Sequence, residues 1–340
     1  MNPILLQIIE PLENDVSYEV VIDKGSNEFI YSGYLLSKPS MRRVPIINDI
    51  PNFEVIENVS HPQKETYNFW WNESHKNYEY DEENNKKILL RTIKISENDY
   101  ENSKVLDLGC GNGRFSDIVS KCKPSLLVLF DISDGIFNAY SNAKKNCENV
   151  IAIKGNILSI PIKEEFFDIV YSWGVLHHTG DTKQAFAIAS RLVNANGKLG
   201  IYVYASKPEY RYNNTGLRLL GIFRQLLVIN TLRYISTRLP GKFVIYLFKP
   251  IYYFEKFINF GIVGCHGSGI EKFNKDDYFR RVIDRFKTRY ATEHSIEEVI
   301  GWYLEENFKS IFIGDDYPVS LTGVKNKLEK EKIEIILKYK

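Results

Sequence analysis

The stretch Val105–Ser116, VLDLGCGNGRFS, constrains the fold of this chain more than any other part of it. It opens with Val105–Leu108, a mostly apolar run typical of a buried parallel strand. Three glycines at alternate positions follow, and the apolar residues Phe115, Ile118 and Val119 then recur with the spacing of a helix. Strand, glycine loop and helix in this order predict a nucleotide-type site, because glycine lets the backbone approach a ligand closely.

The glycines of this loop are not spaced as in the dinucleotide-binding fingerprint, Gly-x-Gly-x-x-Gly. They are Gly109, Gly111 and Gly113, so the third comes one residue early and Arg114 stands where the fingerprint has glycine. Asp107, at the end of the strand, would repel a phosphate and would suit a ligand that carries an ammonium or sulfonium group. The alternative is a βα loop that merely needs glycines for its turn.

Composition restricts the class of protein. A length of 340 residues suits one large domain with additions or two domains, and a formal net charge of +1 gives no overall field that favours nucleic acid. The four cysteines form no Cys-x-x-Cys pair, which argues against a zinc ribbon or a disulfide framework and predicts a cytoplasmic protein with reduced thiols. We expect neither a signal peptide nor a transmembrane segment, because the start is not basic and no apolar run is long enough.

The pattern along the chain predicts an α/β fold with a doubly wound, mostly parallel sheet, since strands and helices alternate from residue 104 onwards. Additions flank this core. The expected regions are a small β-rich N-terminal module (1–60), a helical lead-in (61–103), the ligand-binding core (104–206), a helical cap or substrate region (207–289) and a C-terminal part that completes the sheet (290–340).

The helical cap contains more basic than acidic residues. Three helices are expected there, Leu217–Ile229, Leu232–Leu239 and Phe243–Ile258, with interruptions at Pro240 and Pro250. One interpretation is a cap with a solvated basic face. The others are a lid over an anionic or lipophilic substrate, and contact with a membrane surface through residues 217–260.

Polar residues follow the strands at the carboxyl edge of the predicted sheet, where open α/β sheets bind their ligands. Asp131 ends the second strand, about 20 positions after the glycine loop, and is placed to bind ribose hydroxyls. Asn156 follows the third strand, where a short polar side chain can meet an adenine edge. Ile132, Ile157 and Ser172 complete the predicted binding set.

These residues resemble the motifs of the class I S-adenosylmethionine-dependent methyltransferases. Val105–Phe115 resembles their first motif, with Asp107, Gly109, Gly111 and Gly113 in the binding positions, and Asp131 matches the acid that holds the ribose. Asn156 stands where the third motif usually has Asp. Gly174–His178 resembles the branch of the family with a GVLHH segment. The resemblance implies S-adenosyl-L-methionine as cofactor and a seven-stranded sheet completed by the C-terminal part.

A second resemblance concerns the N-terminal module. Ile46–Phe53 is similar to the end of the small zinc-ribbon modules that precede some methyltransferases, and Gln63–Trp71 resembles the helix that leads into their catalytic domain. The cysteines of such a module are absent here. We therefore predict a degenerate module without a metal.

The methyltransferase resemblance implies an in-line displacement in which the protein mainly aligns and desolvates the reactants. An oxygen nucleophile can also need a base, for which His177, His178 and His294 are the candidates.

The expected acceptor is a small molecule, a glycan precursor or a lipid-linked compound, methylated on O or N. No Asn/Asp-Pro-Pro-Tyr segment follows the fourth strand, which argues against DNA. A tRNA-modifying enzyme and a non-catalytic cofactor-binding or scaffold protein remain as alternatives.

Overall fold

The computed structural model describes residues 4–13, 15–57, 62–71, 81–206, 225–265, 273–315, 317–325 and 334–336. The chain divides into two compact units. The first, here called the sheet unit, comprises Met1–Ser60, Tyr80–Ala205 and His294–Lys340. The second, the helical unit, comprises His61–Glu79 and Ser206–Glu293.

The sheet unit begins with a short helix and a four-stranded antiparallel sheet. These elements are α1 (Leu5–Ile8), β1 (Ser17–Gly25), β2 (Ile30–Lys38), β3 (Arg43–Ile47) and β4 (Ile50–Pro51), with the strands in sequence order. Ile30 and Phe53 belong to the same apolar core as Phe130 of the main sheet, and the Tyr140 hydroxyl donates to Asp49 at 3.3 Å. The β-rich start of the chain is therefore packed against the main sheet.

The remaining helices and strands follow in chain order. They are α2 (Pro62–Phe69), α3 (Glu82–Ile93), α4 (Glu97–Tyr100), β5 (Lys104–Leu108), α5 (Ser116–Lys121), β6 (Leu126–Asp131), α6 (Gly135–Ala143), β7 (Val150–Lys154), β8 (Phe167–Trp173), α7 (Thr182–Leu192), β9 (Val193–Tyr202), α8 (Asn230–Ser236), α9 (Gly241–Ile258), α10 (Lys275–Val282), α11 (Ile296–Glu305), β10 (Ser310–Ile313), β11 (Ser320–Val324) and β12 (Glu334–Ile336).

The main sheet has the strand order β12-β10-β11-β9-β8-β5-β6-β7. Strands β5 to β9 pair in parallel, whereas β11 pairs antiparallel with both β9 and β10. This confirms the predicted doubly wound, mostly parallel α/β fold with its seven strands. The short edge strand β12, parallel to β10, is an eighth strand that the sequence did not predict.

Burial on both faces explains why the central strands are continuous apolar runs. Leu126 to Phe130 of β6 are each at most 3% exposed, because the N-terminal sheet packs on one face of this strand and helices pack on the other. The carboxyl ends of β5, β6, β7, β8 and β9 meet at one edge, since these strands are parallel. The candidate binding residues were predicted from the sequence to lie at this edge.

The helical unit has an apolar core of its own, which includes Val244, Phe248, Tyr252 and Phe286. The expected break at Pro250 is wrong, because α9 runs through it. Pro250 is exposed, so water can satisfy the carbonyl that loses its N–H partner. Of the helix expected at 217–229, residues 217–224 lie outside the described residues and Gln225–Ile229 forms a π-helical turn. Within the described ranges, no helix is long and apolar enough to cross a membrane.

Candidate active site

The glycine loop between β5 and α5 needs its glycines for steric reasons. Gly109, Gly111 and Gly113 have φ values of 90°, 55° and 92°, in the region that side chains disfavour. A Cβ on Gly109 would lie 2.4 Å from the Val175 side chain, and one on Gly113 would lie 2.7 Å from the Ala139 backbone. The loop is therefore closely packed on both sides, and bare backbone lies at the carboxyl edge of β5.

Asp131 binds the glycine loop from the end of the neighbouring strand β6. Its Oδ2 accepts a hydrogen bond from the Gly111 N–H at 2.7 Å, and its Oδ1 accepts from the N–H and hydroxyl of Ser133 at 2.7 and 2.6 Å. Loss of solvation raises the pKa of this carboxyl, while the bonds from Ser133 and Gly111 and the charge of Lys154 act in the opposite direction. The predicted ribose-binding acid thus lies directly against the loop, with the partly exposed Ile132 next to it.

Asp107 lies beneath the same loop and is almost completely buried, with 4% of its surface exposed. Its Oδ2 accepts from the Ser116 hydroxyl at 2.5 Å and from the Tyr171 hydroxyl at 2.7 Å. Burial raises the pKa of Asp107 to about 7, although both hydrogen bonds lower it. A carboxyl in this state favours a cationic neighbour, because a positive charge would stabilise its ionised form.

The raised pKa of Asp107 predicts a pH-dependent stability. In the unfolded chain this carboxyl loses its proton near its ordinary pKa of 3.8, whereas in the folded protein it keeps the proton until about pH 7. The protonated Asp107 carboxyl therefore adds its full stabilisation to the folded state below pH 3.8. This stabilisation is lost as the pH rises from 3.8 to 7. We expect wild type to lose about 2 kcal/mol relative to Asp107→Asn between mildly acidic and mildly alkaline pH. Urea unfolding of both proteins at the two pH values measures this, and a constant difference would contradict it.

The three candidate histidines come together around Tyr204, just beyond the end of β9. His177 is fully buried, and its ring centroid lies 3.9 Å from that of Tyr204 and 4.1 Å from that of His178. The His294 N–H donates to the Tyr204 carbonyl at 2.8 Å. Burial, followed by the charges of His178 and His294, lowers the pKa of His177 well below its usual value. His177 is therefore neutral at physiological pH.

His294 is oriented by an acid on the same segment. Its Nδ1 lies 3.0 Å from Oε1 of Glu298, one turn further along the chain, and its ring packs edge-on against Trp302 with the centroids 4.9 Å apart. A carboxylate in this position holds the imidazole in one orientation.

Three other predicted residues make structural contacts within the sheet unit. The side-chain oxygen of Asn156 accepts from the Leu158 N–H at 3.1 Å and so closes a local turn. Ser172 is fully buried, and its hydroxyl donates to the Leu108 carbonyl at 2.7 Å, which joins β8 to β5. Ile157 is buried as well. Their contribution to ligand binding stays a prediction.

A group of aromatic rings beside the loop was not predicted, and we call Phe115, Trp173, Tyr202 and Tyr317 the aromatic cluster. The ring of Trp173 lies 5.1 Å from Phe115 and 4.8 Å from Tyr202, which is 4.6 Å from Tyr317. The Arg114 guanidinium lies 5.2 Å from the Trp173 ring. Such rings can hold a cation or a flat substrate.

Part of this chain is similar to known methyltransferases. A family model described as a methyltransferase domain matches residues 99–212. A tRNA (carboxymethyluridine(34)-5-O)-methyltransferase of Arabidopsis thaliana is 32% identical over 110 residues, which cover 32% of this chain and 25% of that protein. A sterol 24-C-methyltransferase of Schizosaccharomyces pombe is 24% identical over 111 residues, covering 32% of this chain and 29% of that protein.

Among solved structures, magnesium protoporphyrin IX methyltransferase from Synechocystis with bound SAH aligns with a TM-score of 0.45 and 13% identity, over 78% of this chain and 98% of that one. The two curated relatives are matched over a quarter to less than a third of their own length. The sequence similarity to them thus covers about a third of this chain.

Proposed function

We propose that this chain, whose residues 99–212 match a methyltransferase-domain model, binds S-adenosyl-L-methionine at the glycine loop and transfers its methyl group to an acceptor. When bound, this cofactor supplies a methyl group already activated on a sulfonium. In the proposal Asp131 holds the ribose hydroxyls, Asp107 favours the cationic end, and the backbone of Gly109 to Gly113 allows close approach.

One contact carries the proposal. The Gly111 N–H donates to the Asp131 carboxylate at 2.7 Å, whereas a dinucleotide-binding loop turns such N–H groups toward a pyrophosphate. A carboxylate at this point suits ribose hydroxyl groups, and a second carboxyl, Asp107, lies buried at the end of β5, where it disfavours a phosphate. Both acids together favour a nucleoside that has a positive charge and no phosphate.

The residues around Tyr204 suit the acceptor side of the reaction. We assign His294 as the proton acceptor, because Glu298 lies 3.0 Å from its Nδ1 and holds the ring in one orientation, and because an oriented imidazole is the commonest general base. His177 is buried and neutral, so it positions Tyr204 and His178 through ring contacts and is a poor base. The protein then aligns the acceptor and excludes water. Because the methyl group is already activated, alignment supplies most of what the displacement requires.

The acceptor is proposed to be a small molecule, a glycan precursor or a lipid-linked compound, methylated on O or N. The balanced charge of the chain supports this class, because a polynucleotide surface usually carries an excess of basic residues. A second candidate is a tRNA. It is favoured by the 32% identity to the Arabidopsis thaliana enzyme within the domain.

Label transfer tests the proposal and separates the candidates. The protein is incubated with methyl-labelled S-adenosylmethionine and, separately, with a lipid extract, a polar metabolite extract and total tRNA. We expect label in the lipid or metabolite fraction and its loss with His294→Gln. Label in tRNA alone would select the second candidate. Cofactor binding without transfer to any fraction would support a non-catalytic protein.

A further inference from the structure

Helix α9 in the helical unit presents apolar rings on two opposite faces. One face is buried and forms part of the core, through Val244, Phe248 and Tyr252. The opposite face consists of five exposed aromatic side chains, whose exposure ranges from 54% for Phe254 to 88% for Phe257. We call these residues the aromatic face: Phe243, Tyr246, Tyr253, Phe254 and Phe257.

The aromatic face continues beyond the helix. Phe260 is 64% exposed just after the end of α9, and Leu227 is 57% exposed before α8. An apolar groove of about 500 Å³ lies alongside, and Leu227, Pro250 and Phe254 line part of it. Single exposed apolar residues are normal on a protein surface, but a continuous patch of large rings marks an interaction site.

The charges of α9 complement this face. Lys242, Lys249 and Lys256 are spaced seven residues apart, so they form one stripe along the flank of the helix. The only acid of the helix, Glu255, is fully buried, and its Oε1 accepts hydrogen bonds from the N–H groups of Ile262 and Val263. The exposed surface of α9 therefore has positive side-chain charges and no negative ones.

We propose that the aromatic face and the lysine stripe dock the helical unit on the surface of a membrane that contains anionic lipids. Aromatic rings favour the interface between headgroups and acyl chains, and lysines beside them reach the phosphates. The Lys249 ammonium already lies 4.4 Å from the Tyr246 ring, so the two groups can enter the interface together.

The charge pattern favours a membrane over the other occupants. A second copy docked face to face would bring lysine stripes close together without an exposed acid on either α9 to offset them. RNA would match the lysines, but phenylalanines dominate the exposed rings and suit acyl chains better. The inference goes beyond methyl transfer and does not require it, although docking would bring the protein close to lipid-linked acceptors.

Vesicle cosedimentation of the full chain tests the inference. The probes are vesicles of pure phosphatidylcholine and vesicles in which phosphatidylglycerol replaces one third of it. We expect binding to the anionic vesicles that weakens with added salt. The double variant Phe243→Ser/Phe257→Ser and the double variant Lys249→Glu/Lys256→Glu should each lower the apparent affinity at least tenfold.

Tyr31→Ser is the matched control, because Tyr31 is 55% exposed on the N-terminal sheet and should leave vesicle binding unchanged. Thermal unfolding of each variant shows whether it is folded. The inference is overturned if wild type ignores anionic vesicles or if the control loses binding equally. It is also overturned if the two double variants keep vesicle binding but lose self-association in the absence of lipid. The same holds if they keep vesicle binding but lose binding to total tRNA.

Discussion

Asp131→Ala is expected to weaken the binding of S-adenosylmethionine by about 1–3 kcal/mol, or roughly fivefold to 150-fold, through the loss of charge-assisted hydrogen bonds to the ribose. The same change removes the bonds that Asp131 accepts from Gly111 and Ser133, so the loop loses a support as well. Isothermal titration of wild type and variant gives the two dissociation constants.

Two further variants separate these effects. Asp131→Asn keeps the size of the side chain and one acceptor oxygen, so we expect an intermediate loss of affinity. Asp117→Ala removes a carboxylate on α5 that pairs with Lys121 at 3.0 Å and leaves the bonds between Asp131 and the loop in place, so this variant should bind like wild type. Equal affinities for wild type and Asp131→Ala would remove Asp131 from the site.

Gly113→Ala is expected to destabilise the protein by about 3 kcal/mol and to abolish cofactor binding. The backbone at Gly113 has a φ of 92°, and the added Cβ would lie 2.7 Å from the Ala139 backbone, which belongs to α6 and has little freedom to move. Denaturant unfolding measures the stability and titration measures the binding.

Gly301→Ala is the matched control for this substitution. Gly301 lies inside α11, and a Cβ there would meet no atom within 4 Å. Alanine has the higher helix propensity, so this variant should be more stable than wild type by about 0.5–1 kcal/mol and should bind normally. The steric role of the loop glycines is contradicted if both alanine variants behave alike.

The sequence predicts the core of the sheet unit because local patterns determine it. The runs at β5, β6 and β7 are apolar since both faces of these strands are buried. Asp131 could be predicted for a related reason: its distance along the chain from the glycine loop fixes its place at the end of the neighbouring strand. The fold class and the position of the loop follow from such short-range information.

Long-range pairing explains what the sequence did not predict. Tyr317 lies between β10 and β11, and only the pairing of β11 with β9 brings it to Tyr202. Trp173 and Tyr202 are partners in the β8–β9 register, so aromatic residues at two adjacent strand ends were a usable signal. The rule that proline ends a helix failed at Pro250 because that side of α9 is exposed.

The aromatic face of α9 shows a further limit. Phenylalanine and tyrosine recur along this helix in sequence, and such residues usually belong to a core. Packing decides which of them do: Phe248 is fully buried, whereas Phe257 is 88% exposed. The sequence of an apolar helix alone does not show whether both of its apolar faces are buried or whether one of them is exposed.

The central claim is that the glycine loop binds S-adenosylmethionine. Isothermal titration of the wild-type chain with S-adenosylmethionine, repeated in an excess of NAD, tests it most directly. We expect saturable binding of one molecule per chain, with an affinity that NAD does not change. An absence of binding, or displacement by NAD, would contradict the account.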